Sequence, residues 1–312
     1  VAMSSSEPEF IDASFVDAVP IEKKVVLIEE DTAPSDVSPV QMSDERPIVT
    51  EPAPFTGKVF VAGATGFVGS KVCQELIKQG AKVVGLSRSG KRKPTEAEWW
   101  EDDVEAWIAA SALDVDSYKS ALEGCDSVVS CIGGFGATDS YLNLVNGDCT
   151  IKLCEAAKEA GVPRFVFVSV HEYKLPTAVA RTGYFAGKRR AEARIGELYG
   201  ADGYVLRPAF IYGQKKVTFT NPFSYEKKTV TLPLEKIGEP AAKITAMNPI
   251  KRLANSGLPL ADTVYTQPLS VDEVAFAASR CAAGTATAGV TVRLPSETGA
   301  NVLTVDDIKR MK

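Results

Sequence analysis

Lys58-Val59-Phe60-Val61-Ala62-Gly63-Ala64-Thr65-Gly66-Phe67-Val68-Gly69 decides the fold. Its first five residues form a continuous apolar run, as in a strand buried on both faces. Three glycines follow at spacings of three. Ser70 to Gln79 then reads as a helix, with Val72, Cys73, Leu76 and Ile77 on one face and Gly80 as its stop. Each glycine has a physical task in a strand–turn–helix unit. Gly63 permits the tight turn, Gly66 lets the backbone approach a pyrophosphate, and Gly69 lets the helix pack close on the sheet. The helix N-terminus faces the phosphates. Gly63, Thr65, Gly66, Phe67, Val68 and Gly69 are therefore the expected phosphate-side contacts of a dinucleotide, although the spacing is Gly-x-x-Gly-x-x-Gly and not Gly-x-Gly-x-x-Gly.

The alternation continues outward. Lys82–Leu86 is the second strand. Ala109–Leu113, a helix to Glu123, Ser127–Cys131, a helix through Ala160, Arg164–Ser169, a helix from Tyr184 and Tyr204–Leu206 follow. Strands alternating with helices predict an α/β fold: a doubly wound parallel sheet built from right-handed βαβ units. From about 214 to 268 the rhythm is lost and Pro, Lys and Thr increase, which predicts a small cap that lies over the cleft and handles substrate. Residues 57–312 thus read as one nucleotide-binding domain.

The end of the second strand speaks to the cofactor. An NAD site usually places Asp or Glu there, whereas this chain has Ser87-Arg88-Ser89-Gly90-Lys91-Arg92 and no acid. Arg88, aided by Ser87 or Lys91, suits a 2′-phosphate through charge-assisted bonds, which favours NADP(H) over NAD. The alternative is a solvated basic turn.

The 312 residues are 45% hydrophobic and 24% charged, as in an ordinary globular protein, and no apolar run is long enough for a membrane-spanning helix. The net charge of −5 is uneven: residues 1–56 carry −9 and the remainder +4. That small, scattered basic excess predicts no nucleic-acid binding. Residues 1–56 also hold 7 of the 18 prolines, and apart from a candidate strand at Lys23–Ile28 they read as an extended acidic tail. Such a segment cannot bury enough of its own surface to order itself, so a protein partner is expected for it. Opening on Val1 suits a processed chain whose targeting segment has gone; a trimmed chain begins the same way. Six scattered cysteines without a Cys-x-x-Cys pair, and a single histidine, His171, predict no metal site and reduced, buried thiols. The compartment is a reducing one: cytosol, mitochondrial matrix or plastid stroma.

Several motifs together resemble the extended and atypical short-chain dehydrogenase/reductases. They are the glycine loop, Asp114-Val115 after the third strand, Asn146 in the helix after the fourth, Tyr184-Phe185-Ala186-Gly187-Lys188, Leu206-Arg207-Pro208, Ile211-Tyr212-Gly213 and Ser270-Val271-Asp272-Glu273-Val274-Ala275. Within that group, Ile132–Gly136, Val170–Pro176 and Gly183–Arg189 are similar to runs in plastid proteins associated with plastoglobules and thylakoids. More distant resemblances are to a mitochondrial protein of coenzyme Q synthesis and to the Rossmann accessory subunit of respiratory complex I. The resemblance implies a Rossmann fold in which Asp114 and Val115 reach the adenine, and Cys131, Ile132 and Gly133 line the ribose and pyrophosphate. It makes Tyr184 the proton donor or acceptor. It also makes Lys188 the residue that holds the nicotinamide ribose and lowers the tyrosine pKa. The two stand four apart and so share a helix face. The catalytic hydroxyl of the family falls at Val170, with Ser169 one residue early on the opposite strand face. His171 is the candidate substitute donor, or else a structural histidine.

Two readings follow. One is an NADPH-dependent reductase of a small apolar carbonyl or quinone-like substrate at a plastid membrane, peripherally associated, with Phe219, Phe223, Tyr225, Leu232 and Leu234 as candidate cover. The other is a non-catalytic NADP(H)-containing subunit of a larger complex, tethered by its tail, in a plastid or the mitochondrial matrix. A redox sensor reporting the NADPH/NADP ratio is a third.

Overall fold

The computed structural model describes residues 54–94, 97–220, 227–245, 266–286 and 299–311, which belong to one folded unit, Pro52–Lys312. Lys23–Ile28 lies outside them, as do Phe223, Tyr225 and the side chains of Phe219 and Leu232; Leu234 is half-buried.

Seven parallel strands make the sheet: β1 (Lys58–Ala62), β2 (Lys82–Ser87), β3 (Ala106–Ala109), β4 (Ser127–Ser130), β5 (Arg164–Val168), β6 (Gly203–Leu206) and β11 (Asn301–Leu303). Their order is β11-β6-β5-β4-β1-β2-β3. The chain winds one way from β1 to β3 and the other way from β4 outward, so the reversal falls between β1 and β4. Their carboxyl ends leave a crevice there. The two strands are in register from Val59↔Ser127 to Ala62↔Ser130.

The helices are α1 (Phe67–Lys78), α2 (Lys119–Leu122), α3 (Asp139–Asn143), α4 (Cys149–Glu159), α5 (Thr177–Ala180), α6 (Gly183–Tyr199), α7 (Glu235–Thr245), α8 (Val271–Ala283) and α9 (Val305–Arg310). Alternation along β1 feeds two cores. Val59 and Val61 pack with Val72 and Leu76 of α1 and Val274 and Ala278 of α8. Phe60 packs instead with Leu153 and Cys154 of α4 and Ile195 of α6. All are fully buried, and each large aliphatic among them contributes about 1.5–3 kcal/mol before ordering entropy is charged against it. Gly80 follows α1 at φ +92°, and a reciprocal cap of Ser270 with Glu273 starts α8. The six cysteines are unpaired; all but Cys131 are buried. Among the described residues no helix is long and apolar enough to cross a membrane.

Three elements differ from expectation. The third strand is Ala106–Ala109, and Ala110–Leu113 lie beyond it. As an edge strand it is only half-covered, so its sequence lacks the continuous apolar run of the inner strands. Trp107 covers Gly85 of β2, where a Cβ would meet its ring at 2.8 Å, and donates Nε1–H to the Glu101 carbonyl at 3.1 Å. The helix expected to run to Glu123 is one turn of α2 preceded by a tight turn at Val115–Ser117. The long helix ending near Ala160 is α3 and α4 joined by a widened π-type turn, Leu144–Asp148. In the insertion, β8 (Gln214–Thr220) and β9 (Lys227–Pro233) form an antiparallel hairpin followed by α7. Ile211–Tyr212 (β7) pairs in parallel with Leu269–Ser270 (β10).

Candidate cofactor and active site

The glycine loop is built from the backbone. Gly63, at φ +79°, and Ala64 donate their N–H groups to the Leu86 carbonyl at 2.9 and 3.1 Å, and the Gly66 N–H closes the turn on the Gly63 carbonyl at 2.9 Å. A Cβ on Gly69 would lie 2.1 Å from the Gly63 oxygen, so the first turn of α1 rests directly on the loop. Helix α1 starts with no side-chain cap and no acidic residue in its first turn, which suits an anion. Beside this loop, at the carboxyl ends of β1, β2 and β4, lies a cleft of about 280 Å³.

Of the expected contacts, Gly63, Thr65, Gly66, Ser87, Arg88, Cys131, Ile132 and Gly133 line the cleft. Gly69 supports it from below, Val68 packs into the core and Phe67 faces Gly213. Asp114 and Val115 are not among the lining residues. Asp114 starts the tight turn, its carbonyl accepting the Ser117 N–H and its carboxylate the Ser117 hydroxyl, while Leu113 and Ala112 line the cleft in its place. Tyr141, Leu144, Val145 and Cys149 form the far wall. Sequence reading did not single them out, although their i, i+3, i+4, i+8 spacing marks one helical face.

Tertiary contacts divide the basic run. Ser87 donates its hydroxyl to the Gly90 carbonyl at 2.7 Å and shapes the turn. Lys91 pairs with Asp102 at 2.5 Å. Arg92 pairs with the buried Glu101 at 2.6 Å and donates to the Thr65 carbonyl at 2.9 Å, bracing the glycine loop from outside. Arg88 is exposed on the cleft wall, with no ion pair among the described residues.

Helix α6 enters on α3. Asp139 accepts the Gly183 N–H at 2.5 Å, and Gly187 crosses Gly147 so closely that a Cβ on Gly187 would lie 3.0 Å from the Gly147 nitrogen. That crossing delivers Lys188 to the strand ends. Its ammonium donates to the Val168 carbonyl at 2.9 Å and to the Ile132 carbonyl at 3.3 Å, and a Cβ on Gly133 would lie 3.1 Å from it. Burial lowers the Lys188 pKa to about 8, against a partial pull upward from Cys131 and Glu192. Burial likewise raises Cys131 to about 12, so its thiol stays protonated. Asn146, fully buried in the π-type turn, holds the loop above: its Nδ2 donates to the Gly134 carbonyl at 2.8 Å and its Oδ1 accepts the Gly134 N–H at 3.1 Å.

Tyr184 sits on the same helix, half-buried, outside the cleft lining. Its ring stacks on Phe135 at 5.0 Å between centroids, and burial raises its pKa. Val170 is buried at the position the resemblance gives to the hydroxyl. Ser169 points away and donates its hydroxyl to Glu192, a wholly buried carboxylate of α6 that also meets Arg189 and, at 2.6 Å, Arg207. Arg189 in turn donates to the carbonyls of Val170 and His171 at 2.8 and 3.2 Å. A charge cluster behind the strand end thus carries the His171 loop, whose imidazole meets the Tyr173 ring edge-on at 4.8 Å. No sequence motif signalled Glu192.

The uncapped helix start, the glycine turn that excludes Cβ atoms and Arg88, without an ion pair among the described residues, fit a dinucleotide. Comparison with known proteins agrees. A family model described as NAD(P)H-binding matches residues 63–232. An uncharacterised chloroplastic protein of Arabidopsis thaliana is 39% identical over 222 residues, 70% of this chain and 69% of its own length. The mitochondrial NADH dehydrogenase (ubiquinone) 1 alpha subcomplex subunit 9 of Rattus norvegicus is 25% identical over 185 residues, 57% of this chain and 46% of the subunit. The Bordetella bronchiseptica enzyme WbmF, solved with NAD+, matches 83% of this chain and 78% of its own with a TM-score of 0.51 at 18% identity, a likeness of fold. The chain belongs to the NAD(P)H-binding family, with a Rossmann fold related to the atypical short-chain dehydrogenase/reductases.

Proposed function

We propose that the chain binds NADP(H) and reduces an apolar carbonyl or quinone-like compound near a plastid membrane. The observation that carries the reading is Arg88, a guanidinium on the wall of the cleft with no ion pair among the described residues and no acid on its strand end. Arg88 suits a 2′-phosphate through charge-assisted bonds, with Ser87 beside it. The Gly63–Gly66 turn and the start of α1 hold the pyrophosphate, while Cys131, Ile132 and Gly133 hold the ribose next to it. Leu113 meets the adenine end, with Asp114 and Val115 behind. Lys188, whose ammonium lies against Gly133, holds the nicotinamide ribose.

The bound nicotinamide supplies hydride. Tyr184 supplies the proton: burial keeps its phenol protonated beyond its ordinary range, so it donates to a carbonyl oxygen and does not act as a base. His171, on the loop held by the Arg189–Glu192 cluster, is the candidate second donor. Plastid residence is supported by the chloroplastic relative, and the mitochondrial matrix is the alternative, supported by the mitochondrial one.

A second reading has its own observation. Val170 stands where the hydroxyl belongs, and Lys188 is engaged by two main-chain carbonyls. In that reading the dinucleotide is a fixed part of a subunit of a larger complex, and residues 1–56 meet the partner.

One experiment separates them. The dinucleotide that copurifies is identified by mass spectrometry and its exchange with labelled NADPH is timed. Exchange within seconds supports turnover; retention for hours supports the subunit. Arg88→Ala should weaken NADPH by about 10- to 100-fold and leave NADH nearly unchanged, from the worth of hydrogen bonds to a charged group. Equal weakening of both cofactors would remove Arg88 from the 2′-phosphate. Tyr184→Phe should abolish turnover and spare NADPH binding.

A further inference from the structure

We infer that Phe135 and Tyr184 are the two plates of a clamp for a flat, conjugated, electron-poor carbonyl ring, which makes the substrate class quinonoid or aromatic and not aliphatic. The inference deepens the reductase reading and rests on it only for the role of Tyr184 as proton donor.

Phe135 is 79% exposed, the most exposed large hydrophobic side chain among the described residues. Its place is nevertheless defined. Asn146 bonds both main-chain groups of Gly134 on one side. On the other, Gly136 presses on Tyr141, where a Cβ would lie 2.3 Å from the ring. Between these anchors the Phe135 ring lies nearly parallel to Tyr184, at an interplanar angle of 10°. The exposed ring thus extends the aromatic face of Tyr184 outward, held in place from both sides of the loop. Behind Tyr184 the rings turn edge-on in sequence. Phe185 meets Tyr184 at 85°, and Tyr173 meets Phe185 at 88°. Edge-to-face backing fixes the plane of Tyr184 and leaves its face to the Phe135 side.

A flat ring slides between the two plates onto the face of Tyr184 that Phe135 covers. A Cβ at Gly134 would make only ordinary contacts with Val145, so the main chain there has room for the small shift that opens the pair. The electron-rich phenol face complements an electron-poor ring, and a carbonyl on that ring can reach toward the Tyr184 hydroxyl. A saturated ring has neither the flatness nor the complementary charge distribution.

Binding is measured by calorimetry on the full chain loaded with NADP+, in which no reduction takes place. The probes are 1,4-naphthoquinone and decalone, a saturated ketone of similar size. Naphthoquinone should bind at least about tenfold more tightly. Phe135→Ala should weaken naphthoquinone by about 3- to 10-fold, leave decalone unchanged and keep the wild-type melting temperature, because the side chain is exposed. Tyr184→Phe keeps the plate and should keep binding. Equal affinity for the two probes, or an unchanged naphthoquinone affinity in Phe135→Ala, overturns the clamp. Naphthoquinone binding as expected with no NADPH oxidation by the wild type leaves the clamp standing and refutes the reductase. Ready reduction of decalone, unaffected by Phe135→Ala, does the reverse.

Discussion

Gly69→Ala sets two effects of opposite sign against each other. Alanine in a helix is favoured over glycine by about 1 kcal/mol, so propensity alone predicts a more stable protein. The added Cβ, however, would stand 2.1 Å from the Gly63 oxygen and 2.8 Å from its carbonyl carbon, more than 1 Å inside an ordinary contact. Both neighbours are backbone and cannot rotate away. The Gly63 oxygen also accepts the Gly66 N–H at 2.9 Å, and the Gly63 N–H is tied to Leu86, so relief must open the turn or lift α1 from the loop. Overpacking of this kind costs about 3 kcal/mol, which outweighs the propensity gain and leaves a net loss of about 2 kcal/mol. In a domain of this size that lowers the melting temperature by roughly 4–8 °C. The same displacement moves the turn proposed to hold the pyrophosphate, and NADPH should weaken by about tenfold or more. Thermal melting and fluorescence titration with NADPH give both numbers. Gly134→Ala, whose Cβ would meet only Val145 methyls at 3.6 and 3.7 Å, should remain close to wild type in stability. If Gly69→Ala melts at or above the wild type and binds NADPH unchanged, propensity rules and the close packing argument fails.

Lys188 gives a pH signature. Its pKa falls from an ordinary 10.5 to about 8 on folding, so between those values the unfolded chain holds the extra proton and stability rises with pH, by up to about 3 kcal/mol from this group. Lys188→Met should lack that rise, and urea denaturation of both proteins at about pH 7.5 and about pH 10.5 reads the difference; parallel profiles would show that Lys188 is not buried charged. Glu192→Gln leaves Arg189 and the nearly buried Arg207 without their carboxylate and should cost about 3 kcal/mol. Ser169→Ala, which removes one donor from the same carboxylate, should cost only about 1 kcal/mol. Equal losses in the two variants would place the cluster's value in packing and not in charge.

Much of the cleft was legible because its signals are local. A buried strand, a turn that needs glycine and a helix stop are each written in consecutive residues, and Gly63, Thr65, Gly66, Ser87 and Arg88 on the cleft wall follow from them, while Cys131, Ile132 and Gly133 came from the family resemblance. The third strand was misplaced because an edge strand with one half-covered face carries no continuous apolar run. Asp114 and Val115 were expected at the adenine. The tight turn that replaces the start of the second crossover helix starts at Asp114 and leaves Leu113 on the wall.

The sequence by itself determined the winding of the sheet, the position of the glycine turn after the first strand and the placing of Tyr184 and Lys188 on one helix, because hydrophobic period and glycine placement act over a few neighbouring residues. Only the tertiary structure decided which of the cations Arg88, Lys91 and Arg92 stays on the cleft wall, because Lys91 and Arg92 are claimed by Asp102 and Glu101 from the far end of the same connection. It alone placed Lys188 on the carbonyls of two different strands, Tyr184 beneath Phe135 and Ser169 on a buried carboxylate. Those contacts join segments that lie far apart along the chain. Their energies depend on burial and charge at a point in space, which no local pattern of residues encodes.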